Sequence, residues 1–439
     1  MLHAKKGIIG IAVLSTLLVT SACSTSGKGG TDTAGSSSPN AASGGAVKLG
    51  ITWAGSQARH DATLKTLDLY KKKNENISFE PAYMGFDTYF TKLATLSAAK
   101  SLPDIMQIDT GNLMDYALRG QLADLSSGIN TKDIDKNLLV AGVVNGKQYG
   151  IPIGANTITF MYNKPALEKL GVTVPEKGFS WDEWVQKSRE LKPKLEQGMY
   201  FMQDLSIATG TSESDKYEIY QLAQGKGFVH TADGKFNIDR DTYIAFNKLF
   251  ADLRKEGVVP PPDVTTGHKQ YDPKLDNFLN GTVLVQRDYA AGFPAFDSVH
   301  PGQYAMTLVP YAKQSGAFLL PSQFFTVSKE SKSPDDAKKF VDWFVNDKEA
   351  GQTLNLVRGV PVAKPVLDVL LPALKESDKA QVEIINRTIP QANAFSSRPK
   401  GFGTWTDEWM KTSQAVGFGK MTPEQGYDEL KKKWDELIK

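Results

Sequence analysis

From Val47 to Trp53 apolar and polar residues alternate, Val47, Leu49, Ile51 and Trp53 against Lys48, Gly50 and Thr52, which predicts a strand. From about Asp61 to Lys73 the spacing of Leu64, Leu67 and Tyr70 becomes helical, and Ile77 to Tyr83 returns to a strand pattern. A second helix is predicted from about Asp87 to Lys100, with Phe90, Leu93 and Leu96 on one side, and Pro103 then opens a short strand, Asp104 to Ile108. The order β-α-β-α-β implies a parallel sheet with helices on its faces and ligands beyond the carboxyl ends of the strands, here Trp53–His60 and Asp109–Asn112. Ser180-Trp181-Asp182-Glu183 has the spacing of a capping box, and Ser333-Pro334-Asp335-Asp336 is read the same way. Ala337, Phe340, Val341 and Phe344 then form a core stripe, and Pro423–Lys439 reads as a capping amphipathic helix carrying Tyr427, Leu430, Trp434 and Leu437. Trp343 and Trp434 sit on such stripes and are assigned to the core.

The chain of 439 residues is long enough for two or three domains, and its 41% hydrophobic and 23% charged residues fit a globular protein. Its 51 basic residues against 49 acidic leave no excess of the kind that meets nucleic-acid phosphate. The one cysteine, Cys23, excludes an intrachain disulfide and, unless the chain dimerises, a cysteine-ligated zinc site. It closes a leader: Lys5 and Lys6 precede an uncharged stretch, Gly7 to Ala22, with the order of a secretory signal, which is shorter than the roughly 20 residues of a membrane span. Thr20-Ser21-Ala22-Cys23 resembles the bacterial lipobox, with Thr20 where Leu is usual. Residues 1–22 are thus expected to be removed and Cys23 to be lipidated. Ser24 to Gly45 is nearly all Ser, Gly, Thr, Ala and Asn, and 23–46 is taken as anchor and tether, with a reach of order 25 Å. The expected location is the outer face of the cytoplasmic membrane, of Gram-positive type.

Catalytic signatures are missing: the chain has no HExxH, G-x-S-x-G, Walker A or Rossmann glycine motif. Asp133, Asp135 and Asn137 mimic the start of a calcium loop, but Leu138 stands where the turn needs glycine. No cofactor or metal is expected. A carboxylate pair for glycoside hydrolysis leaves no such signature, so a secreted, lipid-anchored glycosidase or lyase remains the rival reading.

Five segments, in order, resemble the extracytoplasmic solute-binding proteins of ABC sugar importers, the class that includes maltodextrin-binding proteins. They are Leu102-Pro103-Asp104-Ile105, Tyr149-Gly150-Ile151-Pro152 with Met161-Tyr162-Asn163-Lys164, Ser180 to Trp184, Phe278-Leu279-Asn280-Gly281 and Arg358-Gly359-Val360-Pro361. Gly55 to Asp61 with Leu69 to Asn74 resembles Gram-positive lipoproteins that take up pectin-derived oligosaccharides such as rhamnogalacturonan fragments. The resemblance implies a two-lobed α/β fold of the periplasmic-binding type II kind, with a hinge and an interlobe cleft. It divides the chain into 47–154 plus 309–354 and 155–308 plus 355–439. It also implies a monomer that is no enzyme and that hands an oligosaccharide, uronate-containing in the pectin case, to the transmembrane subunits of a permease.

A sugar site needs planar polar groups for hydroxyls and aromatic faces for the ring. Trp53, ending the first strand, faces either cleft or core and is placed in the cleft. Arg59 can donate a bidentate pair to a uronate or form a surface pair with Asp61, and His60 follows it. Phe86 and Asp87 stand near the cleft mouth, and Asp109 is placed to accept from hydroxyls or to cap a helix. By family position Asn156 replaces an acidic cleft residue. Asp288 and Tyr289 lie where an aromatic ring often supports the sugar, with Phe293 an alternative that packs in a core equally well. Arg358 either reaches ligand or pairs across the hinge, and Trp405, in a glycine-rich turn, stands near another expected stacking position.

Overall fold

A computed structural model describes residues 45–210 and 213–438, with the side chain of Asp87 undescribed. The signal, tether and Cys23 readings lie outside the described residues. The predicted βαβαβ unit is present: β1 (Val47–Ala54), α1 (Gln57–Lys73), β2 (Ile77–Met84), α2 (Phe86–Ala98) and β3 (Ile105–Ile108). α1 begins four residues earlier than its apolar spacing suggests, because the polar first turn after Ser56 carries no periodic signal. Short elements follow, namely α3 (Leu113–Leu118), α4 (Lys136–Leu139), the β4–β5 hairpin (Val143–Val144, Lys147–Gln148) and β6 (Ile151–Pro152).

The chain then passes into a second sheet through β7 (Ala155–Asn163). This half contains α5 (Lys164–Lys169), α6 (Trp181–Leu191), β8 (Tyr200–Met202), α7 (Asp215–Ala223), α8 (Arg240–Lys255), α9 (Pro262–Thr266), β9 (Val283–Tyr289), α10 (Phe293–Val299) and β10 (Tyr304–Thr307). β11 (Leu319–Pro321) pairs with β7, and β12 (Phe324–Val327) returns to the first sheet. The helices α11 (Pro334–Asn346), α12 (Lys348–Leu354), α13 (Lys364–Leu370), α14 (Glu376–Thr388), α15 (Phe402–Gly417) and α16 (Pro423–Leu437) complete the fold. The sheet orders are β2-β1-β3-β12-β6 and β10-β7-β9-β8. In the first, β1 runs parallel to β2 and β3, and β12 is antiparallel to β3.

The Ser180 capping box forms: Glu183 N donates to Ser180 Oγ at 3.2 Å and Ser180 N to Glu183 Oε2 at 2.6 Å. Ser333 precedes α11 without a side-chain cap bond, so proline and the two acids start that helix unaided. Phe340, Val341 and Phe344 pack with Leu49, Ile51, Phe325 and Val327 beneath the first sheet. Each such buried side chain contributes about 1.5–3 kcal/mol. Val360, Leu367, Leu370 and Val382 join the same core, so part of the segment after residue 355 shares its apolar side with the first sheet. A larger core runs from Met106, Ile108 and Tyr89 into the second half, where Trp184, Phe201, Phe246, Phe250, Trp405 and Trp409 pack together.

Three strands of chain meet where the two sheets join. Ile153 N donates to Gln323 O at 3.0 Å, Ser322 N to Gly154 O at 2.7 Å and Ala155 N to Val360 O at 2.7 Å. The backbones approach so closely that a Cβ at Gly154 would lie 2.0 Å from Arg358 O. Gly359 stands at φ +98°, a conformation that glycine adopts without cost.

Candidate ligand-binding cleft

Beside these crossings lies a cleft of about 490 Å³ whose lining comes from both sheets. The loop after β3 supplies Asp109 to Asn112, the crossings supply Asn156, Phe318 and Leu320–Ser322, and the second half supplies Asp215, Tyr289, Phe395, Arg398 and Gly401–Thr404. It therefore lies at the carboxyl end of β3, as the parallel-sheet rule requires.

Asp109 reaches the cleft because β3 ends at Ile108 and the chain turns into α3. Its Oδ1 accepts from Asn112 N at 2.8 Å and Asn112 Nδ2 at 2.9 Å. Burial pushes its carboxyl up, partly offset by these bonds. Backbone N–H groups of Gly111 and of Asp109 itself also favour the carboxylate, which steadies the turn while lining the cleft. Asn156, on β7, accepts from Ala291 N at 3.1 Å and Thr157 N at 2.9 Å through Oδ1, which leaves its amide N–H groups as donors.

Tyr289, ending β9, donates from its hydroxyl to Asp215 Oδ2 at 2.5 Å. Arg287 also pairs with Asp215, and its guanidinium lies 4.2 Å from the Tyr289 ring centre. Asp215 Oδ1 is buried without a partner among the described residues.

Arg398 donates twice to Glu218, at 2.6 Å each, and lies 4.8 Å and 4.5 Å from the ring centres of Phe395 and Phe402. Burial alone would push the Glu218 carboxyl up, but the Arg398 charge and bonds, with smaller help from His230 and Val229 N–H, hold it below the usual range. The Arg398 backbone N–H also donates to Thr110 O at 3.1 Å, joining the two sides of the cleft. Phe318 and Phe395 stack at 5.6 Å with 7° between their planes and, both buried, back the wall of the cleft without offering it an open ring face.

Asp109, Asn156 and Tyr289 are thus brought together, and several other expected contacts are placed elsewhere. Trp53 is 0% exposed, donates from Nε1 to His60 Nδ1 at 3.1 Å and lies under Tyr83 at 5.0 Å, so it offers no face to a ligand. His60 is buried with it, and burial, then the Arg358 charge, lowers its pKa. Arg59 forms no pair with Asp61. Its Nε donates to Val357 O at 3.0 Å and its guanidinium lies 5.6 Å from the exposed Phe86 ring, outside the cleft lining.

Arg358 is buried, donating to Gln107 Oε1 at 2.9 Å and to Thr63 Oγ1 at 2.6 Å, so it neither reaches the cleft nor pairs with an acid. Phe293 packs in a core with Phe278 and Phe296. Trp405 is 0% exposed and donates from Nε1 to Leu430 O at 3.1 Å, because it faces inward on the stripe that continues through Trp409 and Val416. The glycine-rich turn does reach the cleft, through Gly401, Gly403 and Thr404. Asp288 is buried in a neighbouring pocket, and burial pushes its carboxyl up to about 6. The Asp87 side chain lies outside the described residues.

Sequence reasoning missed Asp215, Arg398, Phe318 and Phe395. Asp215 opens α7 and had no motif to mark it, and the partner of Arg398 stands 180 residues away. The aromatic pair at 318 and 395 meets only through the fold. Among the described residues no group of three or more His, Cys, Asp or Glu is placed to hold a metal, and no helix is long and apolar enough to cross a membrane.

The profile of the bacterial extracellular solute-binding proteins matches residues 54–351. The YcjN protein of Escherichia coli (strain K12), which carries the name of an ABC transporter periplasmic-binding protein, is 24% identical over 87% of this chain and 90% of its own. Among solved structures, a family 1 extracellular solute-binding protein from Alicyclobacillus acidocaldarius aligns with TM-score 0.75 and 28% identity, covering 90% of this chain and 98% of that one. A periplasmic oligogalacturonide-binding protein from Yersinia enterocolitica shares the fold with TM-score 0.75 and 21% identity, over 89% of this chain and 98% of that one.

Proposed function

The chain belongs to the bacterial extracellular solute-binding proteins, and from that premise we propose that it captures an oligosaccharide in the cleft and delivers it to the transmembrane subunits of an ABC importer. The lobes close on the ligand by bending at the Gly154, Ser322 and Gly359 crossings, each lobe taking one sheet with its covering helices. The observation that carries this reading is the pairing, in one cleft, of the half-buried Tyr289 ring with polar groups that still have bonding capacity. Tyr289, half-buried, supplies a ring for the C–H faces of a sugar, backed by the buried Phe318 and Phe395. The Asp109 carboxylate accepts hydroxyl protons, and the Asn156 amide donates to hydroxyl oxygens. The oligogalacturonide-binding neighbour supports a pectic, uronate-containing ligand, and the resemblance of the Gly55–Asp61 loop points the same way. Anchoring through a lipid on Cys23, on the outer face of a Gram-positive membrane, is part of the same proposal.

A thermal-shift panel of neutral and uronate oligosaccharides tests it. A ligand at 100 times its Kd adds about 2.7 kcal/mol of stability. Following reducing ends in the same incubations separates binding from hydrolysis: new ends would favour the glycosidase or lyase. A panel in which no sugar raises the melting temperature overturns the proposal.

A further inference from the structure

A second cavity, of about 400 Å³, adjoins the cleft, and Tyr289 lines both. It stands at the carboxyl ends of β8 and β9, which run parallel, so it occupies on the second sheet the position that Asp109 occupies on the first. The partition between the two cavities is the group formed by Tyr289, Arg287 and Asp215.

The charges of its wall are largely spent within the protein. Glu213 pairs with Lys216 at 2.9 Å, and Arg287 is held by Asp215. Lys269 is exposed at the rim, and Asp288, buried and felt by the Arg287 charge, forms no ion pair among the described residues. The Asp288 carboxylate instead accepts from Gln270 Nε2 at 2.9 Å, Gln286 Nε2 at 3.4 Å and Tyr289 N at 2.6 Å.

A carboxylate only accepts, so it fixes which end of each amide faces it. Gln270 and Gln286 turn their N–H groups to Asp288 and keep their carbonyl oxygens free. Gln203 does the reverse, because its Oε1 accepts from Arg287 N at 3.3 Å and its N–H groups remain. The backbone of Tyr271, at φ +64°, is tied through its N–H to Asp276 Oδ2 at 2.8 Å, which holds Gln270 in place. The pocket therefore presents sorted acceptors and a donor, with a buried carboxylate behind them that disfavours a second negative charge.

Resting on the reading of the cleft as a sugar site, we propose that this pocket is a separate subsite for an uncharged, hydroxyl-bearing unit, a branch or a further residue of the same oligosaccharide, entered past Tyr289. Two variants test it. Gly210 lines the pocket, and a Cβ built on it meets no heavy atom within 4 Å among the described residues, so the side chain of Gly210→Trp has an open start toward the space it is to fill. Gln270→Ala removes an exposed amide and its free acceptor.

The probes are oligogalacturonides and neutral maltodextrins and pectic side-chain oligosaccharides of two to six units, measured by calorimetry, with the apo melting temperature as folding control. Ligands long or branched enough to enter the pocket are expected to lose about tenfold or more in affinity to Gly210→Trp, and somewhat less to Gln270→Ala, while the shortest binders change less than about twofold. Equal losses at every length, or none at any length, overturn the subsite and leave the cleft standing. If no probe binds the wild-type chain, the sugar reading fails and the subsite falls with it.

Discussion

Replacing Glu218 by Gln removes the counter-charge of Arg398 while keeping the shape of the side chain. Glu218 is fully buried and the Arg398 side chain is 10% exposed, so water cannot take over the role of the carboxylate. Of the two 2.6 Å bonds, one survives to the Gln carbonyl, and the other becomes an N–H facing an N–H. Breaking a buried pair from one side costs about 3–5 kcal/mol. With about 2.1 cal/mol/K per residue, unfolding a chain of this size carries an entropy of roughly 0.8 kcal/mol/K, so the melting temperature should fall by about 4–6 °C. The cleft should suffer as well, because Arg398 sits between Phe395 and Phe402 and its backbone bonds to Thr110 across the opening. Differential scanning calorimetry and ligand titration of Glu218→Gln measure both effects. The double variant Glu218→Gln, Arg398→Met, which leaves no buried charge, should recover most of the lost stability. A single variant melting within about 1 °C of wild type refutes the claim that this pair is desolvated and organises the cleft wall.

Trp405→Ala is expected to cost about 3–5 kcal/mol and to lower the melting temperature strongly, as befits a residue packed on Trp409 and Trp434; normal melting with lost binding would return it to the cleft. Asp109→Ala should weaken oligosaccharide binding by about tenfold or more while costing about 1 kcal/mol of stability, the worth of its bonds to Asn112, so calorimetry and melting together separate the two roles. Burial, then the Arg398 charge, lowers the His230 pKa to about 4, so the unfolded chain takes up this proton first as pH falls from about 6.5; stability held above that pH is lost on the way down to 4, by at most about 3 kcal/mol. His230→Phe should flatten the melting curve against pH in that window, and an unchanged slope would assign the acid sensitivity to other groups. Gly154→Ala forces a Cβ against Arg358 O and should cost about 1–3 kcal/mol through the crossing strands, read as a lower denaturant midpoint.

The contrast between Asp109 and Trp405 explains how much of the site could be read before the fold was seen. Asp109 was legible because strand periodicity ends at Ile108 and a parallel sheet exposes whatever follows its strands. Trp405 stands in a glycine-rich turn near a stacking position that the family resemblance implies, and nearness along the chain does not fix direction. Once α15 begins at Phe402, the helical period turns Trp405 and Trp409 inward and leaves Gly403 and Thr404 toward the opening, so phase outweighed position. Trp53 failed for a related reason: Leu49, Ile51 and Trp53 share one face of β1, and the alternation that identified the strand already placed all three on the same buried side.

What no local pattern encodes is pairing at a distance. Asp215 with Arg287, Glu218 with Arg398 and Phe318 with Phe395 bring together positions 72 or more residues apart, and each pair lines the cleft or braces a residue that does. A buried acid or arginine at such a wall is costly unless it finds its partner, so the wall becomes polar only where the fold supplies both members. On the proposed reading the same cost sets selectivity: charges satisfied within the protein do not compete for ligand, and the Asp109 carboxylate and the Asn156 amide are suited to hydroxyl groups. A ligand lacking hydroxyls at those points would leave both groups desolvated and unpaired on closure, a loss of about 1–3 kcal/mol for each. Discrimination against deoxygenated analogues of a bound sugar should therefore be larger in wild type than in Asp109→Ala, and equal discrimination in the two proteins would show that the hydroxyls are read elsewhere.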